Sequence, residues 1–187
     1  NVIGGVPCAV IITCLFYGAI SGSAPATVAA VGAMTIPVMV NLGYSKEFST
    51  AVVTVAGGLG CIIPPSIPFV LYSTSAGTSV GDMFIAGIVP GLLLGGLLMI
   101  YAVYYSARRG EDRVRIKAVM GELRGQGFLR LFLDSFWALL TPVIILGSIY
   151  GGIAPPTEAA VISVYYALFV SVLIYKTIKV SEIPAVF

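Results

Sequence analysis

Ser21-Gly-Ser-Ala-Pro-Ala-Thr27 sits between two apolar stretches, residues 2–20 and 27–42. A second interruption, Gly57-Gly-Leu-Gly-Cys-Ile-Ile-Pro-Pro-Ser66, divides the next apolar stretch, residues 49–74. Lipid offers no hydrogen bonds, and each unpaired backbone group in oil costs several kcal/mol. Irregular backbone at membrane depth must therefore be buried in protein or face a watery cavity. Paired interruptions of this kind point to the ion and substrate site of a secondary transporter.

Composition sets the class. Of 187 residues, 58% are hydrophobic and 10% charged, where a soluble domain is about a quarter charged. The apolar residues fall in blocks suited to membrane helices, without the strict alternation of a membrane barrel. The chain reads as an all-α integral membrane protein and as a piece of a longer polypeptide. Residues 2–20 look like the core of a signal peptide, but no basic segment precedes them and further apolar sequence follows. A net charge of +2 gives no reason to expect a nucleic-acid partner. Cys8, Cys14 and Cys61 form no CxxC pair and there is no histidine, so zinc and haem sites lack ligands. All three cysteines read as small apolar fillers.

Segment lengths and charge give the topology. Residues 27–42, about 16 in all, contain Pro37 and fall short of the roughly 20 that a crossing needs. A re-entrant hairpin over 2–42, with its tip at Ser21–Thr27, fits better than two crossings. A turn at Gly43–Phe48, the broken helix 49–74, a polar loop at Ser75–Asp82 and a spanning helix over 83–107 follow. Gly91, Gly95 and Gly96 would let that helix pack closely on a neighbour. Segment 108–135 is mixed in charge and carries Ile116, Val119, Met120 and Leu123 at helical spacing, as in an amphipathic helix lying on the membrane surface. Residues 136–152 and 159–175 are apolar again. All ten Lys and Arg residues then fall on one side, which is cytoplasmic by the positive-inside rule.

The interruptions also suggest chemistry. A helix ending inside the membrane exposes carbonyls at its C-terminus and N–H groups at its N-terminus, with partial charges to match. One such turn can offer carbonyls and serine hydroxyls to a hard cation, and amides to a carboxylate. Pro64 and Pro65 lack N–H groups and free the carbonyls of the preceding turn. Glu158, after Pro155-Pro156, suits the first turn of a helix, where a carboxylate meets the positive dipole end. A channel needs a continuous polar lining, which these helices lack. A serine hydrolase built on Ser21 or Ser23 needs an adjacent base, and neither a histidine nor a lysine at membrane depth supplies one. No Walker-type loop is present. Residues 151–161 echo 21–31, sharing Gly, Ala, Pro, Thr, Ala, Ala and Val at aligned positions. Small residues and proline fill most membrane turns, so the echo is equally well read as coincidence.

Four stretches carry a resemblance. They are Ser21-Gly-Ser-Ala-Pro-Ala-Thr-Val-Ala-Ala-Val-Gly32, Ala56-Gly-Gly-Leu-Gly-Cys-Ile-Ile-Pro-Pro-Ser-Ile-Pro68, Ala86-Gly-Ile-Val-Pro-Gly91 and Pro156-Thr-Glu-Ala-Ala160. In this order and spacing the chain resembles the large membrane subunit of the tripartite ATP-independent periplasmic (TRAP) transporters across nearly its whole length. The resemblance implies a multi-pass protein of the bacterial or archaeal inner membrane that takes up organic acids such as a C4-dicarboxylate, a sialic acid or a keto acid. It implies sodium as the coupling ion, no other cofactor, and two partners: a periplasmic solute-binding protein and a small membrane subunit. It further implies an elevator-type transport domain built on inverted repeats, of which residues 1–107 form one segment. Residues 108–135 would be a cytoplasmic arm helix, and 136–187 the start of the second repeat.

By motif match, Ser21, Ser23, Gly60, Ile63 and Pro65 are the expected sodium ligands, mostly through carbonyls. Ser23, Ala24, Thr27 and Ser66 are the expected substrate contacts. Gly58 and Pro155 depart from the family pattern, each standing where threonine is common. A binding-protein-independent anion transporter of the same superfamily is the alternative reading. The topology makes a direct prediction. In the full-length protein, with Cys8, Cys14 and Cys61 replaced by alanine, Lys46→Cys should react with a membrane-impermeant thiol reagent only from the cytoplasmic side; labelling from outside would overturn the orientation.

Overall fold

The computed structural model describes residues 3–110, 116–117 and 128–177. They fall into two compact units, Asn1–Gly125 and Gln126–Phe187. Every regular element among the described residues is helical.

The first unit opens with a helical hairpin. Helix α1, Gly5–Ser21, ends at Gly22 in the left-handed conformation, whose N–H donates to the Gly18 carbonyl at 2.7 Å. This is the common glycine stop, available because glycine has no Cβ to clash. Helix α2, Ala24–Asn41, begins two residues later, with Ser23 extended at its N-cap and Pro25 in its first turn. Proline is tolerated there because the first N–H groups have no intrahelical partner. The helix therefore starts at Ala24 rather than at residue 27 as the apolar pattern predicts. Its 18 residues reach about 27 Å, the lower limit for a crossing, so length alone no longer separates a hairpin from a spanning pair.

Helix α3, Lys46–Gly58, is capped by Ser45, whose Oγ accepts from Phe48 N–H at 3.2 Å, and has Glu47 in its first turn. A single 3₁₀ turn, Leu59–Cys61, leads into the Ile62–Pro65 turns. Helix α4, Ile67–Ala76, resumes under a Ser66 cap. The long apolar stretch is thus broken near its middle. The polar loop narrows to Gly77–Ser79, because α4 runs through Ala76 and helix α5, Val80–Arg109, begins under a Ser79 cap. Helix α5 is 30 residues, about 45 Å long, and carries Asp82 in its first turn and Arg108 and Arg109 in its last. Both charges match the helix dipole.

Helix α5 is the ruler against which the other elements can be placed. Its Gly87 and Gly91 are buried against the break. A Cβ on Gly87 would lie 2.5 Å from the Ile62 carbonyl oxygen, and one on Gly91 would lie 2.6 Å from Ile63 Cγ1. Gly95 faces Leu15 of α1, and Gly4 abuts the Val103 backbone. At the far end Tyr105 stacks on Phe48, with centroids 3.8 Å apart, and meets Ser45 at 3.4 Å. Lys46 and Arg109 therefore share one end of the unit. The small-residue stripe of α5 thus packs within its own unit, on the broken helix at Gly87 and Gly91 and on α1 at Gly95, while Gly96 has open space around it. The core lies nearer the basic end. It is built from Val10, Ile11, Cys14, Val31, Met39, Phe48, Val52 and Val53, with Ile116 packed against it.

In the second unit, helix α6 spans Phe128–Tyr150 and helix α7 spans Pro156–Phe169, followed by a wide turn at Val170–Ile174. Helix α6 starts inside the mixed-charge stretch, ahead of the apolar block expected at 136. Tyr166 Oη donates to the Trp137 carbonyl at 2.8 Å across the pair. The amphipathic face expected over 108–135 falls largely on residues 111–115 and 118–127, outside the described residues. Three described helices are long and apolar enough to cross a membrane: Ala24–Asn41, Val80–Arg109 and Pro156–Ile174. With so many large apolar side chains exposed on α5 and α7, the chain is an integral membrane protein.

The glycine contacts carry a prediction. Gly87→Leu should overpack the break, at a cost of about 1–3 kcal/mol or more, and lower the thermal unfolding midpoint of the detergent-purified full-length protein. Gly96→Ala should leave that midpoint unchanged or raise it.

Candidate functional site

The tip of the α1–α2 hairpin and the break after α3 form one structure. The Ile67 N–H, at the start of α4, donates to the Gly22 carbonyl at 3.3 Å. The Ala24 N–H, at the start of α2, points at Cys61 Sγ, 3.3 Å away. A Cβ on Gly22 would come within 3.1 Å of the Pro65 carbonyl oxygen, and one on Gly18 would collide with Gly60 Cα. Glycine is required at positions 18 and 60 because the two backbones touch there. Two helix ends on one side, α1 and the 3₁₀ turn, thus meet two helix starts, α2 and α4.

Three oxygens close into a triangle at the tip. Thr27 Oγ1 donates to the Ser23 carbonyl at 2.8 Å, Ser21 Oγ lies 2.9 Å from Thr27 Oγ1, and Ser21 Oγ reaches the Ser23 carbonyl at 3.3 Å. Thr27 is fully buried at 0% exposure, while Ser21 and Ser23 are half-buried. Gly60 adjoins this triangle, since a Cβ there would lie 3.1 Å from Thr27 Oγ1. The cluster consists of neutral oxygens at the negative end of α1, the kind of ligand a hard cation takes, with no carboxylate among them. Among the described residues no cluster of three or more His, Cys, Asp or Glu side chains offers a different kind of metal site.

The expected site residues divide into groups. Ser21, Ser23, Ala24 and Thr27 come together at the tip, and Gly60 and Pro65 approach it from the break. Ile63 directs its side chain at Gly91 of α5. Thr27 and Ser66, expected at the substrate, have their hydroxyls committed internally. Ser66 is 1% exposed; its Oγ donates to the Cys61 carbonyl at 2.6 Å and accepts from Phe69 N–H at 3.4 Å. Its local task is to cap α4 and close the preceding turn. Of the four expected substrate contacts, Ser23 and Ala24 remain half-exposed.

Sequence reasoning missed Gly18 and the role of Cys61. Cys14 is buried as an apolar filler should be, but Cys61 is half-buried at the junction, and its sulfur takes the first amide of α2. Nothing in the local pattern flags either residue, because their partners lie about 40 positions away along the chain. In the second unit Glu158 stands exposed in the first turn of α7, as its position after Pro155-Pro156 predicts.

This arrangement sits on a recognised sequence. The family of the tripartite ATP-independent periplasmic transporter, DctM component, matches residues 1–187. The chain belongs to that family. It is 48% identical over 179 residues to an isethionate TRAP transporter permease protein of Oleidesulfovibrio alaskensis, covering 94% of this chain and 27% of the relative. It is 44% identical over 183 residues to a C4-dicarboxylate TRAP transporter large permease protein of Pseudomonas aeruginosa, and 42% identical over the same length to an ectoine TRAP transporter large permease protein of Halomonas elongata. Each of these two alignments covers 98% of this chain and 42% of the relative. The chain therefore spans less than half the length of these curated relatives. The family is one of transporters rather than enzymes.

The oxygen triangle leads to a test of the tip. Thr27→Val keeps the shape but removes the buried hydroxyl that bonds both the Ser23 carbonyl and the Ser21 hydroxyl, which should destabilise the purified full-length protein by about 0.5–1.5 kcal/mol, seen as a lower unfolding midpoint. Thr27→Ser should restore most of the loss.

Proposed function

We propose that this chain is part of the large permease subunit of a sodium-coupled secondary transporter that imports organic acids across the bacterial inner membrane. It works with a periplasmic solute-binding protein and a small membrane subunit. The observation that carries the reading is the oxygen triangle of Ser21, Ser23 and the buried Thr27 at the meeting of four helix ends. Family membership supports the partners and the substrate class, since relatives are described as transporters of C4-dicarboxylates, ectoine and isethionate.

The hairpin is re-entrant. Support comes from depth along α5. The break packs at Gly87 and Gly91, about 27–33 Å from Arg109 and about 10–17 Å from Val80 at 1.5 Å per residue. The hairpin tip is bonded to that break, whereas α4 continues to the Gly77–Ser79 loop. The tip thus stops short of the far side, where its polar groups face a protein-lined cavity. Sodium takes oxygens of Ser21, Ser23 and Thr27 with carbonyls of Gly60 and Pro65 approaching from the break. Its charge replaces the internal hydrogen bonds of the triangle. The substrate carboxylate lies beside it, against Ser23, Ala24 and the amide end of α2, where the helix dipole favours an anion. Thr27 and Ser66 shape this pocket from behind.

Coupling then follows from charge. Without the cation, an anion faces the carbonyl ends of α1 and the 3₁₀ turn; with it, the local field is compensated and the loaded site can move. Movement is of the elevator kind, with the first unit sliding as one body past a static scaffold. In full-length permease reconstituted with its partners, Ser21→Leu and Ser23→Leu should abolish sodium-dependent uptake while membrane insertion stays normal. Unchanged uptake would remove the proposed site.

A further inference from the structure

A cavity of about 430 Å³ lies between the start of α3 and the end of α5, far from the hairpin tip. Its volume is in the range of small-molecule clefts, about 300–1,000 Å³. Its wall changes character along its length. Ser45, Glu47 and Arg109 line one end, and Val52, Val55 and Leu98 the other, with Phe48, Tyr101 and Tyr105 between. Phe48 and Tyr105 are stacked face to face at an interplanar angle of 4°, which ties α3 to α5 beside the cavity. Arg109 holds its guanidinium 5.5 Å from the Tyr105 ring, and the neighbouring Arg108 lies 5.4 Å from the Tyr104 ring.

Three features identify an occupant. The first is the level in the membrane: Tyr101, Tyr104 and Tyr105 with Arg108 and Arg109 have the composition of an interfacial belt, where aromatic rings sit at headgroup height. The second is the division of the wall, polar at the headgroup level and aliphatic toward the membrane interior. The third is charge. Arg109 offers a planar fork suited to a phosphate, and Glu47 offers a carboxylate suited to an ammonium group. A headgroup carrying both charges complements that pair, whereas a purely anionic headgroup would meet Glu47 as a like charge.

We propose that this groove binds an aminophospholipid of the surrounding bilayer. The phosphate rests on Arg109, the ammonium group on Glu47, and one acyl chain runs along Val52, Val55 and Leu98. The lipid wedges α3 against α5 at the basic end of the unit and leaves the hairpin tip untouched, so the assignment stands apart from the sodium and substrate roles.

The test uses full-length permease with its partner subunits, extracted from membranes and examined by native mass spectrometry. Wild type should retain phosphatidylethanolamine in preference to phosphatidylglycerol. Arg109→Gln should retain about tenfold less, as for loss of one charge-assisted hydrogen bond. A second readout places a bimane label on Val55→Cys in nanodiscs, where phospholipid brominated on its acyl chains should quench it. Equal retention by Arg109→Gln, no preference over phosphatidylglycerol, or a label untouched by brominated chains because protein covers the groove would each overturn the proposal.

Discussion

The first unit is organised by the need to satisfy backbone polar groups where water is scarce. Four helix ends meet at Gly22–Ala24 and Cys61–Ile67, and each brings carbonyls or amides that its own helix leaves unpaired. The structure pairs them with one another. The Gly22 carbonyl takes the Ile67 amide and Cys61 sulfur takes the Ala24 amide, while the Thr27 hydroxyl adds a second bond to the Ser23 carbonyl, which already holds the Thr27 N–H. Remove one member and another is stranded in a low-dielectric setting, where an unmet group is most costly.

Close approach follows from that pairing. Gly18 and Gly60 touch through their backbones, and Gly57 sits against Val28. Helix α5 then seals the outer side of the break with Gly87 and Gly91. These positions lack side chains for one geometric reason: helix ends must come within hydrogen-bonding range, which brings the flanking helices nearer than side chains allow. The same closeness makes the tip a shaped cluster of oxygens rather than a loose loop, and that shape is what a cation-binding reading rests on.

The basic end answers a different constraint. There tyrosines, arginines and a serine-capped helix start replace glycines and prolines, as at the boundary between oil and water. Arg108 and Arg109 close the dipole of α5 while lying over tyrosine rings, so their aliphatic stems stay near apolar surface and their charges near water. The groove beside them inherits both characters.

Much of this architecture was legible in the residues. Apolar block lengths and the Gly-Pro interruptions required membrane helices and two breaks, and the motifs pointed to the family. Helix limits were less legible: α2 starts at Ala24 because Ser23 and Pro25 make a good helix start, and α6 starts at Phe128, well before the apolar block. The pairing of one break with the other belongs to tertiary structure alone. Local sequence specifies which backbone groups a helix end leaves unpaired, but only the packing of α1 and α2 against the broken helix decides which distant groups receive them. Hence Ser21, Ser23 and Thr27 stand out in the sequence as polar residues in an apolar chain, while Gly18 and Cys61 gain their roles only where chain segments about 40 residues apart come into contact.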